Sequence, residues 1–381
     1  MKTILIAPDS FKGSLTAREV AAAIGRGVRE VLPDAVSIQH PISDGGEGLV
    51  DILTVALRGT FIGTEVQGPL PGQRVKARWG LSHDRSMAII EMAEAAGLGL
   101  VPEDKRDPKI TSTYGVGELI RAALDAGASS LVIGIGGSAT NDGGAGMAEA
   151  LGVRFLDEGG KPIPEGGAGL TKLRQINIQK KDTRLGSVEV VVASDVQNML
   201  CGAEGASVIY APQKGAAPED VKILDAALLH YGELIHSTLG IDVLHIPGGG
   251  AAGGLGAGLV AFCSAKLKRG IDVVLDETNF DEHLRSADLV ITGEGRIDEQ
   301  VRFGKALSGV IERASRAGVP VLALVGSLEG AKSAFIDPTF LADLESLVDS
   351  HTTLETAMRD ASALLPKKTQ VLLRRYLNSA P

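Results

Sequence analysis

Cysteine is nearly absent: Cys201 and Cys263 are the only two in 381 residues and stand far apart, which excludes a disulfide scaffold and gives a thiolate metal centre no support. The seven histidines form no H-x-x-x-H pair, so the helix-borne zinc motif is missing as well. Thiols this sparse fit a reducing cytoplasm. Basic residues are outnumbered, 38 Lys and Arg against 47 Asp and Glu. The resulting net charge of −9 argues against a binder of nucleic-acid backbones, which draws its affinity from clustered cations. There is no G-x-x-x-x-G-K-[ST], so an ordinary P-loop is excluded, and no G-x-S-x-G elbow, so acyl transfer by a serine nucleophile is disfavoured. The amino terminus holds one basic residue and an apolar stretch too short for a signal peptide, and it reads as a first strand. The longest uncharged run, 245–265, has the length of a bilayer span. Seven glycines crowd its stretch 248–258, so it reads as a glycine loop entering a helix, and no membrane partner is expected.

Glycine is abundant, at 49 residues, while 44% hydrophobic and 22% charged residues are ordinary for a folded chain. Strand-like apolar runs alternate with helical periodicity almost from end to end, the pattern of an α/β protein with mainly parallel sheets. Thr3–Ala7 reads as a strand, followed by a helix opened by the capping box Thr16-Ala17-Arg18-Glu19 with Val20, Ile24, Val28 and Val31 on its core face. The texture changes near residue 60 to short alternating pieces around 68–72, which predicts hairpins and a change of domain. Later strands are predicted at 131–135, 188–193, 289–292 and 319–325, and a helix from Pro218 to Gly240. The expectation is two α/β domains: a discontinuous Rossmann-like or flavodoxin-like domain of residues 1–60 and 285–381, with 61–284 inserted, and an active site in the cleft between them.

Open α/β sheets bind ligands beyond the carboxyl ends of their strands, so the polar loops at those ends are the candidates for chemistry. In the loop 9–14, a carboxylate, the hydroxyls of Ser10 and Ser14, and the ammonium of Lys12 follow the first strand; Lys12 suits phosphate oxygens, or is a solvated loop lysine. Asp44 begins a glycine loop and is either a helix cap or a ligand-facing carboxylate. Asp195 ends the apolar run 190–193, where burying an unpaired carboxylate is costly, which calls for a metal, a lysine or a substrate hydroxyl beside it. Lys214 follows an amide at Gln213. Arg296, in Gly293-Glu294-Gly295-Arg296-Ile297-Asp298, suits a bidentate hold on a carboxylate, or else pairs with Glu294 or Asp298. Gly134-Ile135-Gly136-Gly137-Ser138-Ala139 satisfies G-x-G-x-x-A after a strand, with Asp157 downstream, so a dinucleotide-dependent hydroxy-acid oxidoreductase is the rival reading. The bland alternative is a tight turn capped by Asn141 or Asp142. A non-catalytic sensor, in which the loops bind a small acid or a nucleotide and nothing turns over, is a third reading.

Taken in order, the runs 6–12, 44–48, 135–144, 212–215, 250–254 and 291–298 closely resemble those of the bacterial glycerate kinases of type I, and the likeness extends to about Gly326. It implies ATP-dependent phosphorylation of D-glycerate in the cytoplasm, commonly to 2-phosphoglycerate, with Mg²⁺ as cofactor; for some members the 3-phosphate is named. Laid over the motifs, residue chemistry assigns Arg296 to the glycerate carboxylate, Lys12 to phosphate oxygens, and Asp195, or else Asp44, to the base or the metal. Ser10, Ser14, Gly136, Gly137, Ser138, Thr140, Asn141, Lys214, Gly253, Gly254, Gly293 and Glu294 become candidate nucleotide contacts. Two departures stand out. Ser194 and Met199 replace the usual Cys and Pro around Asp195 and Asn198, and Val301 interrupts the run from Asp298 to Lys305. Monomer and homodimer are both left open.

Overall fold

The computed structural model describes residues 2–46, 48–298, 305–337 and 341–379; Glu47 of the second motif and residues 299–304, with the departure at Val301, lie outside them. The strands are β1 Thr3–Pro8, β2 Val36–Gln39, β3 Thr60–Gln67, β4 Arg74–Leu81, β5 Met87–Glu91, β6 Ser130–Gly134, β7 Arg154–Leu156, β8 Gln175–Asn177, β9 Glu189–Ala193, β10 Lys266–Lys268, β11 Leu289–Asp298, β12 Val321–Glu329 and β13 Asp343–Ser346. The helices are α1 Ala17–Val31, α2 Leu49–Ala56, α3 Ala93–Ala96, α4 Tyr114–Asp125, α5 Ala145–Ala150, α6 Ala206–Tyr210, α7 Pro218–Leu239, α8 Ala251–Cys263, α9 Gly270–Glu277, α10 Phe280–Arg285, α11 Lys305–Ala317 and α12 Leu354–Ser379. The fold is α/β with mainly parallel sheets, as the alternating pattern predicts.

Two compact units are present, residues 1–44 with 271–381, and residues 45–270. The bounds lie before those expected at 60 and 285. Helix α2 packs on β4 and β5 and so belongs with the inserted stretch, while α10 packs on α11 and belongs with the termini. In the first unit, five parallel strands run in the order β13-β12-β11-β1-β2. Alternation sends Ile4, Ile6, Ile291, Leu322 and Leu324 into one core with Val20, Ile24 and Val28 of α1 and Leu365 and Leu372 of α12. Helix α1 starts where its capping box requires: Glu19 N–H donates to Thr16 Oγ1 at 3.3 Å and Thr16 N–H to Glu19 Oε2 at 2.9 Å. Counted within this unit, the strand order is that of flavodoxin-like sheets, and its reversal falls between β1 and β11.

The second unit carries a six-stranded sheet, β10-β9-β6-β5-β4-β3, in which β3, β4 and β5 pair antiparallel and the rest parallel. The hairpin expected around 68–72 is the β3–β4 turn. Trp79, Ile90, Leu119, Ile133, Val192 and Phe262 share its core. Helix α7 runs from Pro218 at its first position to a left-handed Gly240 cap, matching the expected span. Among the described residues no helix is long and apolar enough to cross a membrane.

Candidate active site

In the first unit the carboxyl ends of β1, β11 and β12 surround a cavity of about 370 Å³ at the strand-order reversal. It gathers Ser10, Lys12, Ser14, Asp44, Glu294 and Arg296, all singled out from the sequence, together with Asp9. The loop after β1 is a small closed turn: Phe11 and Leu15 exchange backbone hydrogen bonds at 2.8 and 3.0 Å, and Ser14 Oγ donates to Met358 O at 2.5 Å. Lys12 therefore sits at the tip of a braced turn. Gly293 contributes its carbonyl, which accepts the Asp9 N–H at 2.8 Å, and so anchors this turn to β11.

Arg296 and Glu294 lie on a strand, where a loop was expected. Strand β11 continues to Asp298 because β12 extends alongside it, pairing Arg296 with Ser327 and Ile297 with Leu328. The arginine Nη2 donates to Glu329 Oε2 across the strand pair at 2.8 Å, with both side chains more than half exposed. Such a pair stabilises little, and a guanidinium has further donors for a ligand. The Asp298 side chain lies outside the described set, and Lys305 is exposed at the start of α11.

Asp9 is the residue that the sequence reading left without a role. It is 7% exposed, and its carboxyl is pushed up to about 7, first by burial and then by the facing Asp44 carboxylate, against the pull of the Ser10 N–H and Lys12. The signal was available: a carboxylate closing an apolar strand is the argument applied to Asp195. The apolar wall of Leu347, Leu354, Ala357 and Met358 was missed too, since it comes from the stretch beyond Gly326 where the motifs stop.

The second unit presents a different construction. After β6, Gly136 and Gly137 are exposed, and Gly137 takes a left-handed φ of 73°. Ser138 is 8% exposed, and Thr140 and Asn141 are buried. The turn is braced from behind: Leu98 N–H donates to Gly137 O at 2.8 Å and Ala139 N–H to Ala96 O at 2.9 Å. Lys214 is buried, donating its Nζ to Ser138 Oγ and to Thr140 O, each at 2.7 Å. Burial pulls its ammonium down to about 7, with Asp142 resisting. Asp142 has the capping role: it accepts from Thr113 N–H and Oγ1 at 2.8 Å and from Gly144 N–H at 3.1 Å, ahead of α5. Asn141 donates to Ser207 Oγ at 2.9 Å.

Gly253 and Gly254 do not form an open cradle. Both are buried, and a Cβ on Gly253 would lie 2.0 Å from Thr140 O, so these glycines exist for close backbone packing behind the 140–144 loop. Asp195 follows β9, and its Oδ1 accepts the Gly270 N–H at 3.0 Å. Asp157, the ribose candidate of the dinucleotide reading, instead holds its own turn by accepting the Lys161 N–H at 2.9 Å beside the separate β7–β8 pair. That geometry gives the rival reading no support. Among the described residues no group of three or more His, Cys, Asp or Glu is arranged to hold a metal.

Residues 4–377 match the model of the glycerate kinase family. The chain is 51% identical over 369 residues to a glycerate kinase of Halalkalibacterium halodurans, covering 96% of each. It is 48% identical over 362 residues to the glycerate 2-kinase of Escherichia coli K12, covering 94% of this chain and 93% of the relative. A solved structure, provisionally assigned as a glycerate kinase 2 of Salmonella typhimurium LT2, superimposes with a TM-score of 0.89 at 48% identity, over 99% of this chain and 98% of its own. With the match running through nearly every described element, the chain belongs to the glycerate kinase family and is a kinase.

Proposed function

We propose that the protein transfers the γ-phosphoryl group of ATP to D-glycerate, giving 2-phosphoglycerate and ADP. The observation that carries this reading is the cavity of the first unit, where Lys12 and Arg296 supply positive charge and Asp9 and Asp44 supply carboxylates around one volume. In this reading Arg296 holds the glycerate carboxylate through the donors not given to Glu329. The exposed Gly136–Gly137 turn with Ser138 takes phosphate oxygens. Phosphoryl transfer asks the protein mainly for positioning and charge neutralisation, which such groups provide. Asp195 is the proposed base, with Asp44 as its competitor. The name of the Escherichia coli relative favours the 2-phosphate.

Mg²⁺ commonly uses one or two carboxylates together with phosphates and water, so a three-residue cluster is not required of this chain. The acid pair of Asp9 and Asp44, which repel one another, suits a cation there. When bound, Mg²⁺ supplies neutralisation of phosphate charge; Asp44 and, separately, Asp195 are the carboxylates proposed for it.

The test is ADP release with and without D-glycerate, followed by phosphorus NMR of the product. Release that depends on D-glycerate and a phosphorus doublet, from coupling to the single C2 proton, are expected. A triplet moves the phosphate to C3, and release indifferent to D-glycerate overturns the acceptor.

A further inference from the structure

Lys214 is an expensive residue to keep where it is. It is 2% exposed, and among the described residues no carboxylate oxygen comes within ion-pair distance of its Nζ; its two acceptors, Ser138 Oγ and Thr140 O, are neutral. A buried ammonium held only by neutral acceptors is a net cost to the fold. Around it, Asp142 favours the charge from the same loop as its acceptors. The Tyr231 phenol of α7, near Asp142, is buried and pushed well above its usual value, so it stays neutral. A Cβ on the neighbouring Gly215 would strike the Arg106 carbonyl oxygen at 2.2 Å, so the backbone of Arg106 closes this corner.

The hydroxyl of Ser138 is the informative atom. Its oxygen accepts from Lys214, so its own O–H must donate elsewhere, and no acceptor for it occurs among the described residues. Ser138 directly follows the exposed Gly136–Gly137 turn, which is pinned to the 96–98 backbone and cannot easily retreat. The buried lysine is thus one hydrogen bond away from the residue that directly follows the exposed turn.

We propose that Lys214 is a positioning residue for an anion, the phosphate chain of the nucleotide, and acts on it through the Ser138 hydroxyl rather than by touching it. This rests on the reading that phosphates bind the Gly136–Ser138 turn. Because the ammonium is poised near neutrality, an anion at the turn draws a proton onto Lys214, and nucleotide binding and protonation become linked. The cost of burying the lysine is recovered when the ligand arrives.

The experiment is calorimetric titration of the full chain with ADP and Mg²⁺ at about pH 8, in two buffers of different ionisation enthalpy. Wild type should take up a large fraction of one proton on binding, beyond what the nucleotide itself accounts for, and Lys214→Met should take up none. At about pH 6.5, Lys214→Met should bind at least roughly tenfold more weakly, and at about pH 9 the two should converge to within about threefold. Ser138→Ala leaves the lysine in place and guards against a folding failure of the first variant; it should lose most of the linked proton uptake. If Lys214→Met and Ser138→Ala both bind ADP as wild type does, with the same proton uptake, the proposal is overturned while the nucleotide reading stands. If wild type binds no ADP, both fall together.

Discussion

The two units place the cations of their candidate sites by opposite constructions. In the first, the cationic groups stand at the surface: Arg296 is more than half exposed and is steadied by an equally exposed Glu329. In the second, Lys214 is buried against Ser138 and Thr140, and the exposed residues of the turn are Gly136 and Gly137. A surface arginine costs little to maintain and is screened by salt. A buried lysine costs stability and is far less screened. Under the function proposed above, the first construction selects its ligand by fork geometry and the second by local field. Two single glycines mark a difference in packing: a Cβ on Gly253 of the second unit would lie 2.0 Å from Thr140 O, and one on Gly295 of the first would meet nothing nearer than Lys12 N at 3.3 Å.

The sharpest break of this comparison is therefore a pair of alanines. Gly253→Ala adds a Cβ 2.0 Å from Thr140 O in a backbone held at φ 67°, so nothing can yield without moving the 140–144 loop. We predict a loss of about 3 kcal/mol or more. Gly295→Ala meets Lys12 N at 3.3 Å with an ordinary φ and should cost no more than about 1 kcal/mol. Denaturant unfolding of both decides it, and equal losses would mean that the two positions are equally tightly packed.

Next in size is the base, which the comparison assigns to one unit or the other. Asp195→Asn should lower turnover about a hundredfold or more with D-glycerate affinity little changed. If Asp195→Asn turns over normally and Asp44→Asn does not, the base belongs to the first unit. Arg296→Gln comes third: losing a charged hydrogen bond to the substrate carboxylate should raise KM for D-glycerate about tenfold, worth about 1.4 kcal/mol. Its Tm should hardly move, because the pair with Glu329 is exposed. An unchanged KM would return Arg296 to the role of a surface ion pair.

Much of this was legible in the residues. The capping box at Thr16, the hairpin at 68–72 and the Pro218 to Gly240 helix are local signals, and local signals survive folding. The length of β11 was not, because it depends on β12 lying beside it over 321–329. The tight backbone packing of Gly253 and Gly254 was not legible, because glycine serves close packing and ligand approach with the same composition and only the neighbouring backbone tells them apart. Lys214 was visible as a lysine beside an amide; its burial is set by residues more than seventy positions away in sequence.

The smallest effect concerns how each unit responds to pH. His40, 7% exposed in the first unit, lies 2.7 Å from Thr278 Oγ1, which itself donates to Val274 O at 2.6 Å, so the imidazole Nε2 carries the proton it gives to that hydroxyl. Burial, with His283 adding to it, pulls His40 down to about 4. Its folded value is below the unfolded one near 6.5, so as pH falls the unfolded chain takes the proton first, and stability is lost between about 6.5 and 4. For Lys214, depressed to about 7 from 10.5, the same sign applies in another window, and the second unit gains stability as pH rises from about 7 toward 10.5. Between pH 7 and 5.5, wild type should lose about 1 kcal/mol that His40→Gln, which can still donate to Thr278, does not. Thermal unfolding of the two proteins across that range measures the difference. Parallel curves would mean that His40 is already solvated or charged in the folded protein, and that the first unit lacks the acid sensitivity its buried histidine predicts.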